Sequence, residues 1–338
     1  NREYTNVKYY FLYIYKIFMF KIFITRKIPD VGIQLLKDKK YDIVVSRFDR
    51  TLTSREIIKY AKGVDALLCL LTDKINSEVM DGIGKQLKII ANYAVGVDNI
   101  DLEAAKSRGI MVSNTPGILT EAVVEHTVAL LFTAVKRIAE ADRFTRAGKF
   151  NGWEPMLFLG SGVSGKILGI IGLGRIGGEV AKRMRDGFNV RIIYYDQVRN
   201  EEMEKSLNIE YFDLETLLKM ADFVSIHVPL LPSTRHLIGE QELKLMKPSA
   251  YLINTSRGPV VDEKALVEAL KNKTIRGAAL DVFEFEPKLS SGLAKLNNVV
   301  LTPHIASATE ETRGKMSEMA AQNIIDVLSG GKPKNIVV

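Results

Sequence analysis

"KILGIIGLGRIGGEVAKRM", Lys166 to Met184, is the stretch whose reading decides the fold. An apolar run leads without a break into Gly172-Leu173-Gly174-Arg175-Ile176-Gly177, and an amphipathic helical pattern follows. Glycines at these spacings permit a tight turn, close approach of a pyrophosphate to the backbone, and close packing of helix on strand. The start of the helix offers N–H groups and the positive end of a dipole to phosphates. The next strand-like run, "VRIIYYD", ends in Asp196, about 20 residues on, where an acid can bind the ribose hydroxyls of an adenosine. A lone glycine pattern is weak. With strand, helix and acid in place, a glycine-rich turn beside an exposed Asp is the poorer account. A carboxylate at 196 repels the 2′-phosphate of NADP, so the expected cofactor is NAD, with NADH preferred over NADPH. Arg199 argues the other way, because it can turn toward that phosphate.

Outward from this segment, apolar runs alternate with helical ones. "VRIIYYD", "FVSIHVP", "AYLINTS", "RGAALDV" and "NVVLTP" continue the series that "KILGIIG" opens. Upstream, "FKIFIT", "DIVVS", "DALLCLL", "KIIANY" and "IMVSN" are separated by helix-like segments such as "SREIIKYAKG". Such alternation predicts parallel sheets with helices on both faces, and here two α/β units in tandem. One long helix is expected from about Glu121 to Gly148, followed by the loop "FNGWEPMLFLGSGVSG". A last helix lies in "TEETRGKMSEMAAQNIIDVLSGG".

Length and composition bound the function. The 338 residues suggest two domains. Hydrophobic residues make up 46% and charged residues 26%, enough for a sizeable core. The net charge is +7, but Lys and Arg are scattered among acids, with no basic stripe interleaved with aromatics, so no nucleic-acid partner is expected. A mildly positive field suits an anionic substrate or cofactor. The single cysteine, Cys69, lies in an apolar run and reads as inert core. No metal site is expected. Residues 1–18, crowded with Tyr, Phe and Lys, are poor as a membrane helix and as a secretory signal. They read as an extension before a natural start at Met19, and the protein as cytoplasmic.

Three polar residues stand just past strand-like runs: Arg257, Glu286 and His304. In open α/β folds the ligand crevice lies outside the carboxyl ends of the strands. Hydride transfer to a 2-keto acid needs a cation for the carboxylate, which a fixed Arg fork supplies. It needs an acid to protonate the developing alkoxide, most often His. It also needs a carboxylate that orients this His and favours its charged form. Taken singly, Arg257 is equally a surface arginine, Glu286 a solvated loop acid and His304 a structural histidine. Spacing alone does not bring them together.

From Met19 onward the sequence resembles the D-isomer-specific 2-hydroxyacid dehydrogenase family. The motifs are "GLGRIG", "LINTSRGPVVDEKAL", "GAALDVFEFEP" and "LTPHIASAT". The resemblance implies that Arg257, Glu286 and His304 form the active site, with His304 as general acid/base. It implies a cofactor surface of Gly172, Gly174, Arg175, Ile176, Gly177, Asp196, Gln197, His227, Pro229, Thr255, Ser256, Asp281, His304 and Ala306. It also implies a substrate domain of residues 19–117 and 305–338, a cofactor domain of residues 118–304, and an active site in the cleft between them. The long linking region and the loop after it resemble the family's dimerisation elements, so a homodimer is expected.

The substrate is read from three places. "ANYAVGVDNID" resembles the loop whose N–H groups meet the substrate carboxylate, through Val95, Gly96 and Val97; a plain glycine turn is the alternative. Leu70 and Leu71 fall where the family lines its small pocket, and where phosphoglycerate dehydrogenases carry a polar, basic patch. "GWEPMLFLGSGVSGK" resembles a segment of glyoxylate and hydroxypyruvate reductases in which the Trp, here Trp153, approaches the partner's active site; a core or interface tryptophan is the alternative. These features favour a glyoxylate/hydroxypyruvate reductase. The alternatives are a phosphoglycerate dehydrogenase without a regulatory domain, or a non-enzymatic NAD-sensing corepressor scaffold. The formate dehydrogenase branch, which carries Gln in place of Glu286, fits less well.

Overall fold

The computed structural model describes residues 19–338; the expected extension, residues 1–18, lies outside them. The chain divides into two compact units, one of residues up to Leu119 together with Thr309–Val338, the other of Thr120–Ala308.

The first unit holds β1 (Lys21–Ile24), β2 (Asp42–Val45), β3 (Ala66–Leu70), β4 (Ile89–Tyr93) and β5 (Met111–Ser113). They form an all-parallel sheet in the order β2-β1-β3-β4-β5. This is the flavodoxin-like order. The central strands are buried along their length, as the continuous runs "ALLCL" and "IIANY" require. The helix Glu310–Leu328 packs against the helix Asp30–Asp38. Gly32 makes this approach possible: a Cβ there would lie 2.2 Å from the Ser317 carbonyl oxygen. The Ser317 hydroxyl donates to the Pro29 carbonyl at 2.7 Å and accepts from the Gly32 N–H at 3.2 Å.

The second unit holds β6 (Ile167–Ile171), β7 (Arg191–Tyr195), β8 (Glu210–Tyr211), β9 (Phe223–Ile226), β10 (Tyr251–Asn254), β11 (Gly277–Leu280) and β12 (Val299–Leu301). The sheet order is β12-β11-β10-β9-β6-β7-β8, all parallel. Counted from β6, this is the doubly wound dinucleotide-binding order with one strand added, and strand order reverses between β6 and β9. The two-residue β8 is not evident from the sequence pattern.

The expected single helix of residues 121–148 is two helices, Thr120–Val135 and Ile138–Arg146. Arg137 between them is left-handed, with φ 57°. The cause lies further along the chain. The Val135 carbonyl, which would accept an intrahelical bond, accepts from the Ser161 N–H at 3.0 Å. Gly160 packs so closely there that a Cβ would fall 2.4 Å from that same oxygen.

Candidate active site

The glycine turn is built as its residue types require. Gly172 has φ +97°, and a Cβ on it would meet the Val228 N at 2.8 Å. Gly177 packs its Cα against the Gly172 carbonyl, leaving a Cβ only 2.1 Å of room. Gly174, the N-cap of the helix Arg175–Phe188, faces open space, and no side chain caps its end. The first N–H groups of that helix, through Arg175 and Ile176, are therefore presented to a ligand. Asp196, at the end of β7, accepts from the Leu173 N–H at 2.8 Å and the Gln197 N–H at 2.7 Å. Each carboxylate oxygen keeps further lone-pair capacity for a ribose hydroxyl. This turn, helix start and acid fit a dinucleotide.

Arg199, the residue that argued for a phosphate, is already engaged. Its guanidinium donates to both oxygens of Glu204, at 2.8 and 2.7 Å. Glu204 also accepts from the Tyr194 hydroxyl at 2.6 Å. Arg199 pulls the Glu204 carboxyl down to about 2, the Tyr194 bond adding to the effect.

At the end of β9, the His227 ring lies 2.8 Å from the Ser225 hydroxyl. Burial pushes its pKa down to about 4, so the ring is neutral near pH 7. Pro229 follows and accepts from the Thr234 hydroxyl at 2.7 Å. After β10, the Thr255 hydroxyl pairs with that of Thr127 at 2.8 Å, and the Ser256 hydroxyl donates to the Val228 carbonyl. Arg257 follows in extended conformation and donates to the Ser256 carbonyl at 2.8 Å.

His304 and Glu286 come together. Nδ1 of His304 lies 2.9 Å from Oε2 of Glu286, while Oε1 of Glu286 accepts from the Phe283 N–H at 3.0 Å. A ring N–H facing a carboxylate fixes the tautomer. Nε2 of His304 has no hydrogen-bond partner among the described residues. His304 sits in the left-handed region, with φ 55°, an uncommon state for a residue with a Cβ that clusters at functional sites.

That conformation is held by Asp281. Its fully buried carboxylate accepts from the Thr302 hydroxyl at 2.6 Å and the N–H groups of Ile305 and Ala306 at 2.8 Å each. The His304 N–H donates to the Asp281 carbonyl at 2.8 Å. Nε2 of His126 lies 3.1 Å from the Thr302 hydroxyl and 3.4 Å from Asp281. Asp281 and Ala306, two residues of the expected cofactor surface, make bonds that brace the loop bearing His304. His126 and Thr302, absent from the sequence-based set, belong to the same brace. The signal for them was weak: His126 stands between Glu125 and Thr127 in a largely apolar helix.

In the first unit, Leu70 ends β3, and its N–H donates to Asp73 at 2.8 Å. The carbonyls of Val95 and Gly96 accept from Asn114 and Asn92, each at 2.8 Å. Asn99 ties the Leu70 carbonyl to this loop, with a 3.1 Å bond to it and a 3.0 Å bond from Asn92. Trp153, in the second unit, is 84% exposed, so the core alternative for it is excluded.

Comparison with known proteins supplies the family. Residues 128–306 match the model of the D-isomer-specific 2-hydroxyacid dehydrogenase NAD-binding domain. The chain belongs to the D-isomer-specific 2-hydroxyacid dehydrogenase family. It is 51% identical to the glyoxylate reductase of Thermococcus litoralis over 94% of this chain and 96% of that one. An NADPH-dependent glyoxylate/hydroxypyruvate reductase of Sinorhizobium meliloti, solved with NADP and malonate, has a TM-score of 0.84 at 33% identity, covering 94% of this chain and 97% of that chain. The D-lactate dehydrogenase of Escherichia coli gives 0.80 at 31%, covering 94% of this chain and all of that one. The chain is an NAD(P)-dependent D-2-hydroxyacid dehydrogenase, and its cofactor is a nicotinamide dinucleotide. No helix among the described residues is long and apolar enough to cross a membrane.

Proposed function

We propose that the protein reduces small 2-keto acids, glyoxylate and hydroxypyruvate foremost, to the D-2-hydroxy acids, with NADH preferred over NADPH. The observation that carries this reading is the pair formed by His304 and Glu286, with Nε2 of the imidazole left open. A bound nicotinamide dinucleotide supplies the hydride. His304 gives a proton from Nε2 to the oxygen of the keto group as negative charge develops there. Glu286, 2.9 Å from Nδ1, holds the orientation and tautomer of the imidazole. Arg257 holds the substrate carboxylate and polarises the keto group. Gly172, Gly174 and Gly177 receive the pyrophosphate, and Asp196 and Gln197 the ribose. On the same resemblance, Leu70, Val95 and Gly96 are assigned to the substrate.

The engagement of Arg199 by Glu204 supports NADH, because the cation nearest Asp196 in sequence already has its carboxylate. A homodimer and a cytoplasmic location are part of this reading. For the dimer, one segment exposes Phe150 at 59%, Trp153 at 84%, Met156 at 75% and Leu159 at 49%. Apolar exposure of this density marks an interaction surface.

A panel of glyoxylate, hydroxypyruvate, pyruvate and 3-phosphohydroxypyruvate, each with NADH and NADPH, tests the proposal. The highest kcat/KM is expected for glyoxylate or hydroxypyruvate with NADH. Preference for the phosphorylated keto acid would overturn the substrate assignment, and preference for NADPH the cofactor assignment.

A further inference from the structure

The loop that carries Glu286 is anchored by a second His–Glu pair. Nε2 of His236 lies 2.7 Å from Oε1 of Glu284, whose side chain is only 4% exposed. Arg235 reaches the same oxygen at 3.7 Å. The other oxygen of Glu284 accepts from the Glu263 N–H at 3.3 Å, and the Glu284 N–H donates back to the Glu263 carboxylate at 2.7 Å. Glu263, itself buried, also accepts from the Ser290 N–H at 2.6 Å, closing the far end of the loop.

This anchor touches both halves of the chemistry. Glu284 stands two residues before Glu286, whose carboxylate is folded back on the Phe283 N–H. The Phe283–Glu284 peptide also presses on Gly258, the neighbour of Arg257: a Cβ on Gly258 would lie 1.9 Å from the Phe283 carbonyl carbon and 2.4 Å from the Glu284 N. The His236 backbone is tied to the same segment, its N–H donating to the Pro259 carbonyl at 2.8 Å, and Ile238 continues with a 3.1 Å bond to Val260. His236 is held in the left-handed region, with φ 52°. His236 thus links the segment after Arg257, through its backbone, to the loop before Glu286, through its side chain.

We propose that His236 and Glu284 are positioning residues for keto-acid reduction: they clamp the Arg257 segment to the Glu286 loop and so fix the carboxylate that orients His304. Neither residue touches the reacting atoms. A buried carboxylate satisfied from several sides is a stiff anchor, because removing one partner leaves a desolvated charge unpaired. Displacing a catalytic group by about 1 Å costs on the order of 100-fold in rate.

The clamp rests on the assignment of His304 and Glu286 made above. The test compares Glu284→Ala, His236→Ala and His236→Gln with Glu286→Gln, by kcat and KM for glyoxylate and by NADH fluorescence titration. Glu284→Ala should lower kcat on the order of 10-fold to 100-fold, with NADH affinity unchanged. His236→Ala, on a more exposed residue, should do the same to a smaller extent. His236→Gln keeps a donor for Glu284 and should recover most of the activity. Two results would overturn the clamp. In one, both alanine variants retain the kcat of the unaltered protein. In the other, kcat, NADH affinity and Tm fall together and His236→Gln recovers none of them. If Glu286→Gln itself leaves kcat unchanged, the parent assignment fails and the clamp falls with it. If Glu286→Gln lowers kcat and the alanine variants do not, only the clamp is lost.

Discussion

The carboxyl ends of the two sheets are furnished differently. Beyond β10, β11 and β12 of the second unit stand an arginine, a glutamate and a histidine, and a buried aspartate braces the loop that bears the histidine. Beyond β3 and β4 of the first unit, neutral amides hold the carbonyls of Leu70, Val95 and Gly96, through Asn99, Asn114 and Asn92, while Asp73 takes the Leu70 N–H. The difference separates two tasks. Proton transfer needs ionisable groups whose charge is tuned by neighbours. Shaping the pocket around a small substrate needs a backbone kept in one form, which amide bonds to its carbonyls provide. Under the proposed function, damage to the second unit's loops strikes kcat, and damage to the first unit's loops strikes KM.

The largest effect expected is that of His304→Ala, a loss on the order of 10²–10⁴-fold in kcat/KM for glyoxylate, the range for a positioned acid or base. NADH binding should survive, because the turn from Gly172 to Asp196 is untouched. Glu286→Gln keeps a hydrogen bond to the imidazole but removes the charge, and should lower kcat by less than His304→Ala does. A loss of NADH affinity that parallels the loss of rate would show His304 to be structural.

In the first unit, Asn92→Ala releases the Gly96 carbonyl. The expected result is a KM for glyoxylate raised about tenfold, the scale of one hydrogen bond of ~1.4 kcal/mol. Both kcat and the pH profile should stay near their original values. If kcat falls as far as KM rises, the division of tasks between the two units is wrong.

This contrast also sets how much was readable from the chain alone. The glycine turn, Asp196 and the alternation of strands and helices follow from local spacing, and the structure has them where the pattern puts them. The pairing of His304 with Glu286 is not local; it was available only because "PHI" and "FEP" occur together in a resembling family. The bracing residues were not legible. His126 reaches Thr302 across 176 positions, and His236 reaches Glu284 across 48. Nothing in either neighbourhood marks the partner. The break at Arg137 was hidden for the same reason, since the amide that causes it belongs to Ser161.

A smaller effect tests the cofactor side of the second unit. Asp196→Ala removes the carboxylate that repels a 2′-phosphate, and the ratio of kcat/KM for NADH to that for NADPH should fall about tenfold, a change of ~1.4 kcal/mol. The Arg199–Glu204 pair should limit the gain for NADPH, so the double variant Asp196→Ala with Glu204→Gln should go further. A ratio that does not move would show that Asp196 does not read the ribose.

The two units also differ in their response to acid, an effect read in stability rather than rate. In the first unit, burial raises the pKa of Asp73, only partly offset by the bonds from Thr25 and Leu70. A raised carboxyl takes up its proton in the folded state first, so stability rises as pH falls through the window above its ordinary value of 3.8. In the second unit, burial alone would raise the pKa of Asp281, but the bonds from His126, Thr302, Ile305 and Ala306 outweigh it and hold it low. His227 is pushed down by burial from 6.5 to about 4. Between those two pH values the unfolded chain binds a proton that the folded chain refuses, so stability falls as pH drops through that window. A shift of this size corresponds to about 3 kcal/mol if fully expressed. Asp281 adds a further loss below its ordinary value of 3.8. Hydrogen exchange followed from pH 7 to pH 4 should therefore show protection fading in β6 and β9, which flank His227, before it fades in β3 and β4. His227→Asn keeps a polar partner for Ser225 without an imidazole to protonate, and should flatten the decline above pH 4. Equal fading in both sheets, or a decline that His227→Asn leaves unchanged, would remove the electrostatic half of the contrast between the units.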